Sequence, residues 1–394
     1  MRIVHVVPAL AKGGGERIAV ELANHSARVG HQVTLIAACP VDSALLRDSL
    51  HPYVQVRYVS ESVDSRVGRY LCVLPWLLRH RSWLAEQDIL HCHLTFGAVF
   101  GTAAGILLWM LGAKRPSIVE TYHAVGMPIP RLHRWFHARL AARRDALSLV
   151  AEDDYWRAFL ADHPGLLSAI IPNGISISFQ GNVDPTARRA YRLELGIPDD
   201  CRFVIGTVGR LEPDRQPWLY LTIFTEMARA LGPEVHFVLA GGGTELDRMR
   251  SLVIEHGLEG RVHFPGLVIE PCLPLSIMDI YITLNVGATT GVAALEAALL
   301  NLPVLGIQML AGYRPSPNDW IWSSANLLDV AAQSIQLLRS PSEKLELVER
   351  QRTYVRANHT SEVMASAYSQ LYQAIHDRNE TRVNANRHSS NKRN

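Results

Sequence analysis

Short runs of β-branched and apolar residues alternate with helical patterns along almost the whole chain. In the first half the strand-like runs are Ile3–Val7, Val33–Ala38, Val54–Val59, Ile89–Leu94, Ser117–His123, Ala146–Ala151 and Ala169–Ile171. Several are apolar without alternation, the pattern of strands covered on both faces. Between the first two lies a helical segment, Glu16–Val29, with Ile18, Leu22 and Val29 among its apolar positions and Gly30 as a stop signal. Strand–helix–strand order predicts a parallel sheet with right-handed crossovers. The pattern pauses at Pro172-Asn173-Gly174, runs through a polar stretch to about Cys201, and restarts with Phe203–Gly209. Val235–Ala240, Val262–Phe264, Ile280–Leu284 and Pro303–Ile307 follow. The expected architecture is therefore α/β, with two doubly wound, Rossmann-like domains at residues 1–175 and 200–355. Residues 378–394 are polar and basic with little apolar content, and are expected to form a disordered tail.

Composition supports this picture. The chain has 394 residues, long for one core and comfortable for two domains. Hydrophobic residues make up 48% and charged residues 19%, which excludes disorder for the bulk of the chain. A formal charge of +2 gives a nucleic-acid partner no global electrostatic support. Cys39, Cys72, Cys92, Cys201 and Cys272 lie far apart, without metal-type pairing, as in a reduced intracellular protein. The start of the chain lacks the regions of a signal peptide. Its most apolar stretch, Phe96–Gly112, is too short to span a bilayer comfortably and carries four glycines, so a buried helix is expected there.

Candidate chemistry gathers where strands end. Gly13-Gly14-Gly15 follows the first strand and opens the first helix, and Gly241-Gly242-Gly243 repeats the arrangement after Val235–Ala240. Glycines there let the backbone approach a ligand, and a helix N-terminus offers free N–H groups to an anion; a tight turn with no ligand is the plainer reading. His91 and His93 alternate at one strand's end, which places both on one face. The preferred role is a sugar-hydroxyl contact, ahead of a structural hydrogen bond; a metal would want further ligands, and none is near in sequence. His123 ends the next strand and carries the same reading. Arg210 and Arg215, five apart beside a strand end, can grip a diphosphate through their planar forks, unless they are two solvated loop residues. Glu296 lies in a strongly apolar helix, where a carboxylate in the N-terminal turn could accept two ribose hydroxyls. The segment Arg131–Arg144 interleaves basic, aromatic and apolar residues. It reads equally as a surface helix packed by Leu132, Phe136 and Leu140, or as one resting on an anionic membrane, each basic residue adding about 1 kcal/mol.

In their order along the chain these motifs resemble the retaining glycosyltransferases of family 4, which have the GT-B fold. The set comprises Gly13-Gly14 with Glu16-Arg17, Asp88-Ile-Leu-His-Cys-His93, Thr121-Tyr-His123, Ile171-Pro-Asn-Gly174 and Val208-Gly-Arg210 with Arg215. Ala240-Gly-Gly-Gly243, Phe264-Pro-Gly266, Asp279-Ile-Tyr-Ile, and Leu295-Glu296-Ala with Leu302-Pro303-Val304 complete it. The resemblance implies two domains facing a cleft, the second holding a UDP- or GDP-sugar and the first a glycan or lipid-linked acceptor. It implies that helix 360–377 packs back on the first domain. His93, Arg210, Arg215 and Glu296 would form the catalytic set, with Gly13, Gly14, Gly15, Gly242 and Gly291 lining the donor site and no metal or other cofactor. The implied setting is surface polysaccharide biosynthesis, in the cytoplasm or peripherally at the inner face of the plasma membrane.

The sequence also departs from the family. The glutamate usually found eight positions before the ribose-binding one, in E-G-F-G, is here Ala288 in Ala288-Thr-Thr-Gly291. The usual lysine of the diphosphate pair is Arg215, and the glycine usually preceding L-P-V is Asn301. Ala288 favours an alternative, a catalytically impaired GT-B-like partner subunit of an assembly complex; retention of Arg210, Arg215, Glu296 and His93 favours the enzyme. The two glycine loops alone would also permit a nucleotide-dependent dehydrogenase, against which the paired arginines argue.

Overall fold

The computed structural model describes residues 1–10, 13–40, 49–61, 66–123, 130–151, 153–176, 183–268, 271–285, 291–309 and 320–390. In chain order the elements begin with β1 (Arg2–Val7), α1 (Gly14–Arg28), β2 (Gln32–Ala37), β3 (Val54–Tyr58), α2 (Arg66–Leu71), α3 (Val73–Ala85) and β4 (Ile89–His93). Next come α4 (Leu94–Met110), β5 (Ser117–Tyr122), α5 (Arg131–Ala141), β6 (Ala146–Leu149), α6 (Asp154–Ala161) and β7 (Leu167–Ile170). The second half holds α7 (Pro185–Glu194), β8 (Phe203–Val208), α8 (Leu219–Leu231), β9 (Val235–Ala240), α9 (Leu246–Glu255), β10 (Val262–His263) and α10 (Cys272–Ser276). It continues with β11 (Ile280–Asn285), α11 (Val292–Leu299), β12 (Val304–Gln308), β13 (Trp322–Ser324), α12 (Leu327–Arg339) and α13 (Pro341–Asn358), and α14 (Ser361–Ser390) closes the chain. These form two compact units: the described residues up to Gly174 together with α14, and Ile175–Thr360.

Each unit is a parallel sheet with helices on both faces. The first has strand order β3-β2-β1-β4-β5-β6-β7, the second β10-β9-β8-β11-β12-β13. Strands β1, β2, β4, β5 and β9 are buried along nearly their whole length, as their unbroken apolar runs require. The α/β reading therefore holds, with strand ends shifted by one or two residues. The three-residue edge strand β13 carried too short a signal to be read from sequence. Phe96, Phe100, Ala104 and Leu108 pack the inner side of α4 against the sheet, so the most apolar stretch is a buried helix. Among the described residues no helix is long and apolar enough to cross a membrane.

The expected tail needs correction, because α14 continues through it as far as Ser390. Its polar residues are good helix formers, and spacing helps: Gln373 donates to Asp377 at 2.7 Å and His376 lies 3.5 Å from Glu380. The helix packs beside α1 and is fastened to the first sheet. Tyr372 Oη is 2.7 Å from His91 Nδ1, while Tyr368 Oη lies 2.8 Å from Thr121 Oγ1 and 2.9 Å from Ser148 Oγ.

Candidate active site

Both sheets reverse strand order once, and ligands of open α/β sheets bind outside the carboxyl ends of the strands at that point. In the first unit the reversal lies between β1 and β4. Gly13 caps α1 and its carbonyl accepts the Arg17 N–H, so Gly14 and Gly15 fall in the first helical turn. A Cβ on Gly15 would lie 2.9 Å from Leu94 Cδ2, and Leu94 itself holds a left-handed φ of 59° where β4 passes into α4. This close approach, rather than a wide loop, is what Gly15 serves in the fold.

Behind this turn lies a histidine cluster that sequence reading saw only in part. Parallel pairing of β1 with β4 sets His5 opposite His91, and alternation adds His93 to the same face. His5 Nδ1 is 3.1 Å from His93 Nε2, and His93 Nδ1 is 3.3 Å from His123 Nε2. His5, His91 and His93 are fully buried. Desolvation lowers His5 to about 3 and His123 to about 4, and pushes His91 and His93 well below the ordinary value, so all four rings are neutral at pH 7. The expected contact of His93 with a sugar hydroxyl is therefore revised. Both its ring nitrogens face other histidines, and only His123, partly exposed, reaches the strand end. Among the described residues His5, His91 and His93 are the group able to hold a metal ion. Both nitrogens of His91 are already taken, by Tyr372 and by Thr121 at 2.7 Å. As hydrogen-bonded, the cluster is a fixed polar core rather than a ready set of three ligands.

A second buried network ties α5 to the sheet. Glu120 on β5 accepts from Arg144 Nε at 2.8 Å and lies 3.2 Å from His137 Nδ1. Arg144 also donates to Thr102 Oγ1 and the Ala98 carbonyl. Glu120 is consequently held below the usual carboxylate range although burial acts the other way. Both readings of the basic helix change: Arg144 is spent inside the protein, and Leu132 and Phe136 point outward while His137, Ala138, Leu140 and Ala141 pack inward.

In the second unit the order reverses between β8 and β11. Arg210 and Arg215 leave the end of β8 and flank Asp214, with nitrogen–oxygen distances of 3.4 and 3.9 Å. Arg210 is exposed, whereas Arg215 is partly buried and sits within electrostatic reach of Tyr220 and Tyr281. Desolvation and the neighbouring Arg210 charge lower the Arg215 pKa, so the pair is under mutual repulsion that an anion would relieve. Tyr281, raised to about 12 mainly by burial, also senses Glu296, which connects the arginines to the next helix. Glu296 is buried but stands fifth in α11, one turn later than expected, because the helix starts only at Val292 after its Gly291 cap. The glycine turn divides its roles. A Cβ at Gly241 would strike the Gly209 carbonyl and one at Gly243 the Leu211 carbonyl, so those two serve backbone packing. Gly242 and Gly291 face open space, with no atom nearer than 3.8 Å to a Cβ at the former and none within 4 Å at the latter. Ala288 lies outside the described residues.

Residues 12–179 match the family described as Glycosyltransferase Family 4, and residues 188–351 the one described as Glycosyl transferases group 1. The chain belongs to glycosyltransferase family 4. A 2-deoxystreptamine N-acetyl-D-glucosaminyltransferase of Streptomyces fradiae is 27% identical over 245 residues, 57% of this chain and 55% of that protein. The chain thus spans about half the length of that curated relative. A phosphatidyl-myo-inositol mannosyltransferase of Propionibacterium freudenreichii is 26% identical over 362 residues, covering 88% of each chain. Among solved structures, Anabaena HepE in complex with UDP and glucose superposes with a TM-score of 0.74 at 16% identity, covering 95% of this family 4 chain and 99% of that one. This likeness establishes the GT-B fold.

Proposed function

We propose that this family 4 chain moves a hexose-type sugar from a UDP- or GDP-sugar to a glycan or lipid-linked acceptor, with retention, in surface polysaccharide biosynthesis. The supporting observation is the pair Arg210 and Arg215 at the second unit's switch point, with Asp214 between them. As the bond from the anomeric carbon to the diphosphate breaks, the departing oxygen takes the electron pair, and the two guanidiniums neutralise the growing charge. The acceptor hydroxyl forms the new bond on the same face and gives up its proton. Glu296 orients the ribose, the Gly13–Gly15 turn and the open backbone at Gly242 and Gly291 admit the donor, and His123, held by His93, faces the sugar. The chain works in the cytoplasm, attached peripherally to the inner face of the plasma membrane. Removing one such donor group costs about 10²–10³ in turnover. Arg210→Ala and Arg215→Ala each lower transfer from the preferred nucleotide sugar by that order, while Arg215→Lys keeps the charge and much of the rate. Transfer assays on variants with unchanged melting temperature decide this: wild-type rates in both alanine variants reject the phosphate role.

The second reading, a catalytically impaired partner subunit, is motivated by Ala288 in place of the family's glutamate. A lost charge-assisted hydrogen bond is worth about 1.5–3 kcal/mol, roughly ten- to more than a hundredfold in rate. Ala288→Glu raises transfer from a common hexose donor if the missing contact limits the enzyme. Brisk transfer by the natural chain, only impaired by the new glutamate, would show that other contacts recognise the sugar.

A further inference from the structure

We propose that the first unit docks on an anionic lipid bilayer through the outer surface of α2–α3, with α4 and α5 beside it. The proposal rests on the peripheral attachment given above and assigns it to a helical layer instead of the single helix α5. Crossovers from β3 to β4, β4 to β5 and β5 to β6 all run the same way across the sheet, so right-handedness puts α3, α4 and α5 on one face. α3 packs beside α4, and α4 beside α5.

Along α2–α3, Val67, Tyr70, Leu71, Leu74 and Leu78 are all exposed. Their spacing draws a single stripe down one side of a helix. The helical ladder carries across the junction, because Cys72 N–H donates to the Gly68 carbonyl and Trp76 N–H to the Cys72 carbonyl, both at 3.2 Å. The opposite side, with Val73, Trp76, Leu77 and Leu84, is buried against the core. Apolar side chains on both sides of one helix leave a surface that water covers poorly. Trp109 and Met110 at the end of α4, and Leu132 and Trp135 on α5, extend the apolar outer surface of this layer.

Charge identifies what covers it. Residues 65–144 hold eleven lysines and arginines against three acids, in a chain whose net charge is only +2. All three acids are engaged: Glu86 pairs with Arg2 at 3.1 Å, Asp88 accepts the Arg2 N–H at 2.8 Å, and Glu120 is buried against Arg144. Arg79 and Arg81 stand exposed beside the stripe, as do Lys114, Arg131 and Arg143 elsewhere on the layer. Basic and apolar groups interleaved on a convex helical layer match a bilayer interface, where phosphates and acyl chains lie at neighbouring depths.

The test is flotation of the full chain with phosphatidylcholine vesicles, with or without about one third phosphatidylglycerol. The parent chain binds the anionic vesicles and not the neutral ones. Replacing Leu71, Leu74 and Leu78 together by serine lowers the partition coefficient at least about tenfold. Arg79→Gln with Arg81→Gln weakens binding and flattens its salt dependence. Full binding by the serine variant, with loss in an Arg131→Gln, Arg134→Gln variant, would overturn this surface and leave the attachment standing on α5. No binding by the parent overturns the attachment itself, and transfer to a soluble acceptor reports the chemistry separately.

Discussion

The first unit loses stability at about 4 kcal/mol per pH unit below about pH 6, because three of its histidines are buried and neutral. The sign follows from the direction of the shifts. A histidine whose folded pKa is depressed contributes stability that is present above the unfolded value near 6.5 and lost as pH falls below it. His5, His91 and His93 each leave the unfolded chain one proton richer than the folded one across pH 6 to 4, and His123 adds less because it is partly exposed. Domains are stable by only about 5–15 kcal/mol, so mild acid suffices to unfold this one. Urea midpoints followed by tryptophan fluorescence at pH 8, 7, 6 and 5 measure the slope. His5→Gln, which cannot titrate, reduces it by about one proton. A midpoint that stays flat from pH 7 to 5 would mean that the buried rings take up protons in the folded protein.

Removing Glu120 costs about 3–5 kcal/mol, since Arg144 is then left charged and buried with only neutral partners. The expectation for Glu120→Gln is a loss of this size at pH 7, seen as a lower urea midpoint of the first unit. Replacing both residues, as Glu120→Leu with Arg144→Met, recovers most of it, because no charge remains inside. A single substitution costing under about 1 kcal/mol would show that Arg144 swings out to water. That outcome would also return Arg144 to the basic surface of α5.

The fold was legible because both-face burial writes long apolar runs into β1, β4 and β9, and because glycines and turn residues punctuate them. The second unit's site was legible for a related reason: Arg210, Arg215, Gly242 and Glu296 all follow strand ends closely in sequence. What sequence hid is pairing between distant strands. His91 and His93 announced themselves by alternation, but His5 joins them only through the β1–β4 register, a pairing of strands far apart in sequence. Glu120 and Arg144 were likewise read separately, one as part of a strand and one as a membrane charge. Their partnership depends on how α5 returns to β6, which no local spacing encodes. Glu296 was misplaced by one turn because apolar residues surround it evenly and only the Gly291 cap fixes where α11 begins.

The placement of α14 has a consequence for the order in which this chain is assembled on a ribosome. Residues 175–360 emerge with every strand of their own sheet, whereas the first unit, synthesised earlier, lacks its final helix throughout that time. The hydroxyls of Tyr368 and Tyr372, which bond to His91, Thr121 and Ser148, arrive last. Until then the face of the first sheet that receives α14 is bare, and the nascent chain holds an unfinished first unit while completing the second.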